Sequence, residues 1–168
     1  MASASYHTRR DEIETYFDRT AADAWAALTS DAPVSRIRRT VRHGRDAMRQ
    51  TLMSWLPEDM TGSTLIDAGC GTGTLAIEAA QRGAEVVAVD LSPTLVNLAR
   101  ERLRDLNQTL DVTFLVGDMR DMDLGSFDYA VAMDSLIHYD VADGVATLEA
   151  MAAVSYTHLT LPTKSSVG

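Results

Sequence analysis

The segment Asp67-Ala68-Gly69-Cys70-Gly71-Thr72-Gly73 sets a carboxylate at the head of a glycine-rich turn, and a second carboxylate, Asp90, follows 23 residues later. Short apolar runs, TLIDA and EVVAV, lead into the two acids and place both at the carboxyl ends of strands. Ligands of open α/β sheets bind there, because the loops diverge and helix N-termini point inward. Glycine lets the backbone pass close to a ligand without a Cβ clash. A carboxylate ending the second strand can accept both hydroxyls of a ribose. The turn alone is a weak signal, and the two acids at this spacing turn it into a nucleoside site.

Two nucleotide ligands compete for such a site. The dinucleotide fingerprint Gly-x-Gly-x-x-Gly calls for Gly or Ala at position 74, where this chain has Thr74. It needs no acid at the start of the turn, whereas Asp67 is well placed beside the positive sulfonium and amino end of S-adenosylmethionine. The acid-x-Gly-x-Gly-x-Gly form resembles the first motif of class I S-adenosylmethionine-dependent methyltransferases. Gly117-Asp118-Met119 resembles their adenine-binding position, and Phe127-Asp128-Tyr129 the opening of their fourth strand. The competing readings are a NAD-dependent oxidoreductase and a Rossmann-like sheet that binds no cofactor.

The resemblance extends beyond the cofactor motifs. The stretches TYFDRTAADAWAALTS, TVRHGRDAMRQTLMSWLPEDMTG, LIDAGCGTG and FDYAVAMDSLIHY resemble, in order, the magnesium-protoporphyrin IX O-methyltransferases of the bacteriochlorophyll-making branch. The likeness runs over about residues 9–154. It implies that Asp67, Gly69, Gly71, Asp90 and Asp118 hold the cofactor, with Leu91 and Met119 flanking adenine. It also implies methylation of one substrate propionate, an N-terminal arm over that substrate, and contact with the magnesium chelatase that delivers it. His138, in the context LIHY, occupies a position considered catalytic in some members. The alternative is a rim histidine hydrogen-bonded to backbone. Thr29 stands where some relatives carry a Tyr proposed for catalysis, which puts a strict Tyr–His scheme in doubt.

The elements that must position these groups follow from periodicity. Residues 9–29 carry apolar side chains at helical spacing, and a second helix is expected from about Ser35 to Leu56. Its predicted apolar stripe is Val34, Ile37, Val41, Met48, Leu52 and Trp55. Arg38, Arg42, Arg45 and Arg49 recur at steps of four, three and four, so they share a face beside that stripe. Arginine forks bind carboxylates bidentately, so this face is a candidate clamp for an anionic substrate. The plain alternative is a solvated charged face. From Ser63 onwards, apolar runs alternate with helical stretches: TLIDA, a helix closed by Gly83, EVVAV, a helix opened by Ser92-Pro93, VTFLV, FDYAVAM, and a last helix from near Asp143. Four strands in this alternation make a parallel Rossmann-like sheet covered on both faces.

Composition bounds the reading. The chain has 168 residues, 46% hydrophobic and 23% charged, which is one domain's worth with a real core. A net charge of −9 argues against a nucleic-acid binder. No apolar run is long enough to span a membrane, and the N-terminus has no signal-peptide core. A single cysteine excludes an internal disulfide and fits a cytoplasmic protein; the resemblance implies a place at the face of the photosynthetic membrane. Cys70 reads as a small buried side chain. His7, His43 and His158 lack metal-ligand spacing, so no protein-bound metal is expected. Nine arginines fall in residues 1–60, six of them between Arg36 and Arg49, which is a basic patch on an acidic protein. The expected organisation is a helical arm over 1–60, a cofactor domain over 61–154, and a tail over 155–168. That tail, SYTHLTLPTKSSVG, holds the sole lysine and no alanine, and resembles translated run-on sequence foreign to the fold. The fold is then C-terminally incomplete, with its fourth strand left as an edge. Three functions fit: a propionate methyltransferase, a methyltransferase for another small anionic or quinone-like substrate, and a non-catalytic porphyrin-binding fragment.

Overall fold

A computed structural model describes residues 4–28, 33 and 36–160. The N-terminal arm is α1 (Ala4–Thr15), a π-helical turn (Tyr16–Ala21), α2 (Ala22–Leu28) and α3 (Arg36–Ser54). The single helix expected over 9–29 is therefore two, because the π turn breaks the 3.6-residue period. Then follow β1 (Thr64–Ala68), α4 (Thr74–Gln81), β2 (Glu85–Asp90), α5 (Pro93–Asp105), β3 (Val112–Val116) and β4 (Phe127–Val131). A short 3₁₀ turn (Leu136–His138), α6 (Val141–Val154) and β5 (Ser155–Thr160) complete the order.

Local chemistry sets the helix ends. Ser92 caps α5 by accepting from Leu95 N at 3.2 Å, with Pro93 in the first turn. Gly83 follows α4 at φ 97°, and a Cβ there would lie 2.6 Å from Thr61 Oγ1.

All strand pairs are parallel, in the order β3-β2-β1-β4-β5. The chain steps outward from β1 to β3 and then returns to the other side for β4. This reversal opens a crevice at the carboxyl ends of β1 and β4. Thr64 N donates to Asp128 Oδ2 at 2.8 Å, tying the starts of the two strands together. One core layer joins Leu52, Met53, Leu65, Leu75, Val96 and Phe114, under α3, α4 and α5. The other packs Met151 of α6 on Ile66, Phe127 and Ala130.

Two further expectations are corrected. Ser155–Thr160 pairs with β4, so the sheet has five strands and β5, not β4, is that edge. Its Thr- and Tyr-bearing sequence has strand propensity, and β4 would otherwise present unpaired backbone. The stripe on α3 is buried only in part. Leu52 is fully buried, whereas Ile37, Val41 and Trp55 are 80%, 46% and 56% exposed. Only the C-terminal part of α3 packs on the sheet domain. Thr29, Val34 and residues 161–168 lie outside the described residues.

Candidate functional site

The glycine turn is pinned to β2 by its own backbone: Gly69 N and Cys70 N both donate to Val89 O, at 2.8 and 3.0 Å. Asp67 is thereby held at the floor of the crevice, 2% exposed. Its Oδ2 is buried without a hydrogen-bond partner among the described residues, as is Thr74 Oγ1 at the start of α4. Burial, reinforced by the charge of Asp90, pushes the Asp67 carboxyl up to about 7. That Oδ2 calls for a cation or a donor that none of the described residues supplies.

Asp90 ends β2 and accepts from Gly71 N at 2.8 Å and Ser92 N at 2.9 Å. These backbone donors fix its plane and leave lone pairs for further donors. Burial raises its pKa as well. Beyond β3, Asp118 Oδ1 accepts from Arg120 N at 2.9 Å, while Oδ2 accepts from the Tyr6 hydroxyl of α1 at 2.6 Å. The Tyr6 ring stacks on Tyr139 at 5.4 Å and lies under the Arg120 guanidinium at 3.8 Å. The arm makes a second bond nearby, where Asp18 Oδ1 accepts from Ser92 Oγ and Thr94 N at the head of α5.

The opposite wall comes from α3 and the turn after β4. Arg45 Nη1 donates to Asp134 Oδ2 at 2.5 Å, and its guanidinium lies 4.0 Å over the Trp25 ring. Arg42 donates to Ala27 O at 2.6 Å, and Arg49 pairs with Asp46 and Glu78. His138 packs edge-on against Phe17 at 5.0 Å, while Arg9 Nε donates to its carbonyl at 2.9 Å. Burial lowers the His138 pKa below the usual imidazole value, so the ring is neutral at pH 7.

These walls enclose one cavity of about 340 Å³. Asp67, Gly69, Gly71, Asp90, Leu91, Asp118 and Met119 line it, together with His138, Arg42, Arg45 and Arg49. Arg38 does not; it lies on the exposed first half of α3. Sequence reasoning missed Tyr6, Asp18, Trp25 and Asp134. Asp134 sits one residue before Ser135 in the quoted AMDSLIHY stretch, but its pairing with Arg45 spans 89 residues and leaves no local pattern. Among the described residues, no group of three or more His, Cys, Asp or Glu could hold a metal ion.

Comparison with known proteins bears on this geometry. A family model described as a methyltransferase domain matches residues 65–156. A magnesium-protoporphyrin O-methyltransferase of Rhodobacter capsulatus is 54% identical over 141 residues, 83% of this chain and 62% of that protein. A protein of the same name from Synechocystis is 30% identical over 155 residues, 89% of this chain and 66% of that one. The chain thus spans less than two thirds of either relative. The crystal structure of the Synechocystis magnesium protoporphyrin IX methyltransferase with bound SAH superposes with a TM-score of 0.86 at 28% identity, covering 91% of this chain and 71% of that one.

Proposed function

The chain belongs to the methyltransferase-domain family, and from that premise we propose that it moves a methyl group from S-adenosylmethionine to a propionate carboxylate of magnesium-protoporphyrin IX, giving the monomethyl ester. The observation that carries the reading is the pairing, across one cavity, of an orphaned carboxylate oxygen on Asp67 with guanidinium groups of α3. The first calls for a cationic donor, the second for an anionic acceptor. The Rhodobacter likeness supports the same substrate. Its 141 residues exceed the 108 from 61 to 168, so it takes in part of the arm as well as the cofactor half.

When bound, S-adenosylmethionine supplies an electrophilic methyl group on a sulfonium. We assign Asp67 to its ammonium end, Gly69 and Gly71 to close backbone approach, and Asp90 to the ribose hydroxyls. Asp118 takes the adenine amino group, with Leu91 and Met119 at the ring. A propionate has a pKa of about 4–5, so at pH 7 it is already ionised and no strong general base is needed. The substrate oxygen bonds to the methyl carbon as the carbon–sulfur bond breaks, the electron pair stays on sulfur, and no proton moves. The chain's task is to desolvate, orient and clamp. Arg42, Arg45 and Arg49 clamp the acceptor, with Arg38 at the outer end of the same helix. Neutral His138 orients the propionate by a hydrogen bond.

On the same reading, residues 1–60 are the substrate-side arm, 61–154 the cofactor domain, and 155–168 a tail of foreign composition whose first six residues, Ser155–Thr160, pair with the sheet as β5. Contact with a magnesium-chelatase subunit belongs to it too, as does residence in the cytoplasm at the face of the photosynthetic membrane. Ile37 and Val41, exposed among the arginines of α3, support a surface contact, and no described helix is long and apolar enough to cross a membrane.

The test is an assay of the full chain with radiolabelled S-adenosylmethionine and magnesium-protoporphyrin IX. We expect label in a porphyrin monomethyl ester. An Arg42→Gln/Arg45→Gln variant should bind porphyrin about tenfold more weakly and S-adenosylhomocysteine unchanged. Cofactor binding without any porphyrin ester would overturn the substrate assignment.

A further inference from the structure

Two described residues other than glycine hold a positive φ, Asn107 at 49° and Asp134 at 59°. Asn107 closes the turn behind α5, an ordinary place for asparagine. Asp134 lies on the cavity wall, where left-handed backbone carries a conformational cost that the surroundings must meet. Those surroundings are specific. Ser135 Oγ donates to Ala68 O at 2.9 Å, and a Cβ built on Gly69 would lie 2.3 Å from Ser135 Cβ. The backbone around Asp134 is therefore seated directly on the glycine turn, while its carboxylate reaches Arg45 on the arm.

On that face of α3, the Arg45 guanidinium is confined on two sides. Trp25 covers one face at 4.0 Å, Asp134 takes Nη1, and both side chains of the ion pair are 17% exposed. Its Nε and Nη2 donate to no described residue, and Arg45 lines the cavity. Arg42 already serves the Ala27 carbonyl, and Arg49 divides between Asp46 and Glu78. A guanidinium has five donors in a planar fork, so one edge can be held by Asp134 while the other meets a second carboxylate. The counter-charge of Asp134 keeps Arg45 ionised in a half-dry site, and the ring of Trp25 sets its plane.

We propose that Asp134 is a positioning residue which, with Trp25, holds Arg45 so that its open edge selects a free carboxylate over the corresponding ester. This inference rests on the porphyrin-carboxylate reading above and adds selectivity to it. The fork that captures the acid has no such hold on the methylated product. Because Asp134 stands on the turn that touches Gly69, the fork is set relative to the cofactor turn and not to the arm alone.

The experiment titrates the full chain with magnesium-protoporphyrin IX and, separately, with its dimethyl ester, following porphyrin absorbance, with S-adenosylhomocysteine as control. The wild-type chain should prefer the diacid by about tenfold. Asp134→Asn should bring the two affinities to within about threefold, by weakening the diacid alone, with the S-adenosylhomocysteine Kd unchanged. Arg45→Lys, which keeps the charge and loses the fork, should do the same, and the double variant should be no worse than either single one. It supplies the test if Asp134→Asn does not fold. A full diacid preference in both single variants overturns the inference, as does no preference in the wild type. Preference without any methyl transfer would instead overturn the methyltransferase reading and leave this one standing.

Discussion

Gly69 and Gly71 both sit at positive φ, 78° and 54°, yet a methyl group added to each would meet different surroundings. At Gly69 it collides with Ser135 Cβ at 2.3 Å, whereas at Gly71 nothing lies within 4 Å. Gly69→Ala should therefore cost roughly 2 kcal/mol of stability, and Gly71→Ala about 1 kcal/mol, from the backbone alone. Gly71→Ala should nevertheless weaken S-adenosylhomocysteine binding at least about tenfold, because its Cβ projects where a ligand must lie against the backbone. Thermal unfolding beside calorimetry separates the two effects, and cofactor affinity unchanged in Gly71→Ala would contradict the assignment. Asp67 makes a pH prediction. Its folded pKa of about 7 lies above the ordinary carboxylate value of 3.8, so between those limits the folded chain binds the extra proton. Stability then falls as pH rises through that window. The Tm of the ligand-free chain should drop from pH 5 to pH 7.5, with a shallower drop in Asp67→Asn. These acids and glycines were legible in the sequence because their spacing is local. The partners of Asp118 and Arg45 were not, since they lie 112 and 89 residues away.

At the scale of elements, the arm docks through buried polar bonds. Tyr6, 1% exposed, gives its hydroxyl to Asp118, and burial together with that bond raises its pKa far above the ordinary phenol value. Removing the hydroxyl leaves a buried carboxylate short of a donor. Tyr6→Phe should cost about 1–3 kcal/mol of arm docking. Hydrogen exchange should speed up in α1 and stay unchanged in β1 and α4, and unaltered exchange in α1 would show that the bond is not what holds the arm. The helices of the sheet domain could be read because their ends carry caps, Ser92-Pro93 and Gly83. The arm could not be read as well. A π turn over Tyr16–Ala21 has no signature in apolar spacing, and it divides what reads as one stripe into two. The recurrence of arginines at steps of four, three and four was legible, but Arg38 lies away from the cavity and the apolar neighbours Ile37 and Val41 face solvent.

For the molecule as a whole, the alternation of strands and helices from Ser63 was enough to predict a parallel sheet, and the reversal between β1 and β4 decides where its ligand crevice opens. What alternation could not supply was β5, since the stretch from Ser155 departs in composition from everything before it while its backbone still pairs with β4. The curated relatives extend well beyond the length of this chain, yet every residue assigned here to the cofactor lies between Asp67 and Met119, inside the part they share with it. On the proposed function, that segment binds its cofactor through Asp90. Calorimetric titration of S-adenosylhomocysteine into the 168-residue chain, beside an Asp90→Ala variant, tests it most directly. Saturable one-to-one binding that weakens at least about tenfold in the variant is the predicted result. No binding to the wild-type chain, or equal binding by the two, would contradict it.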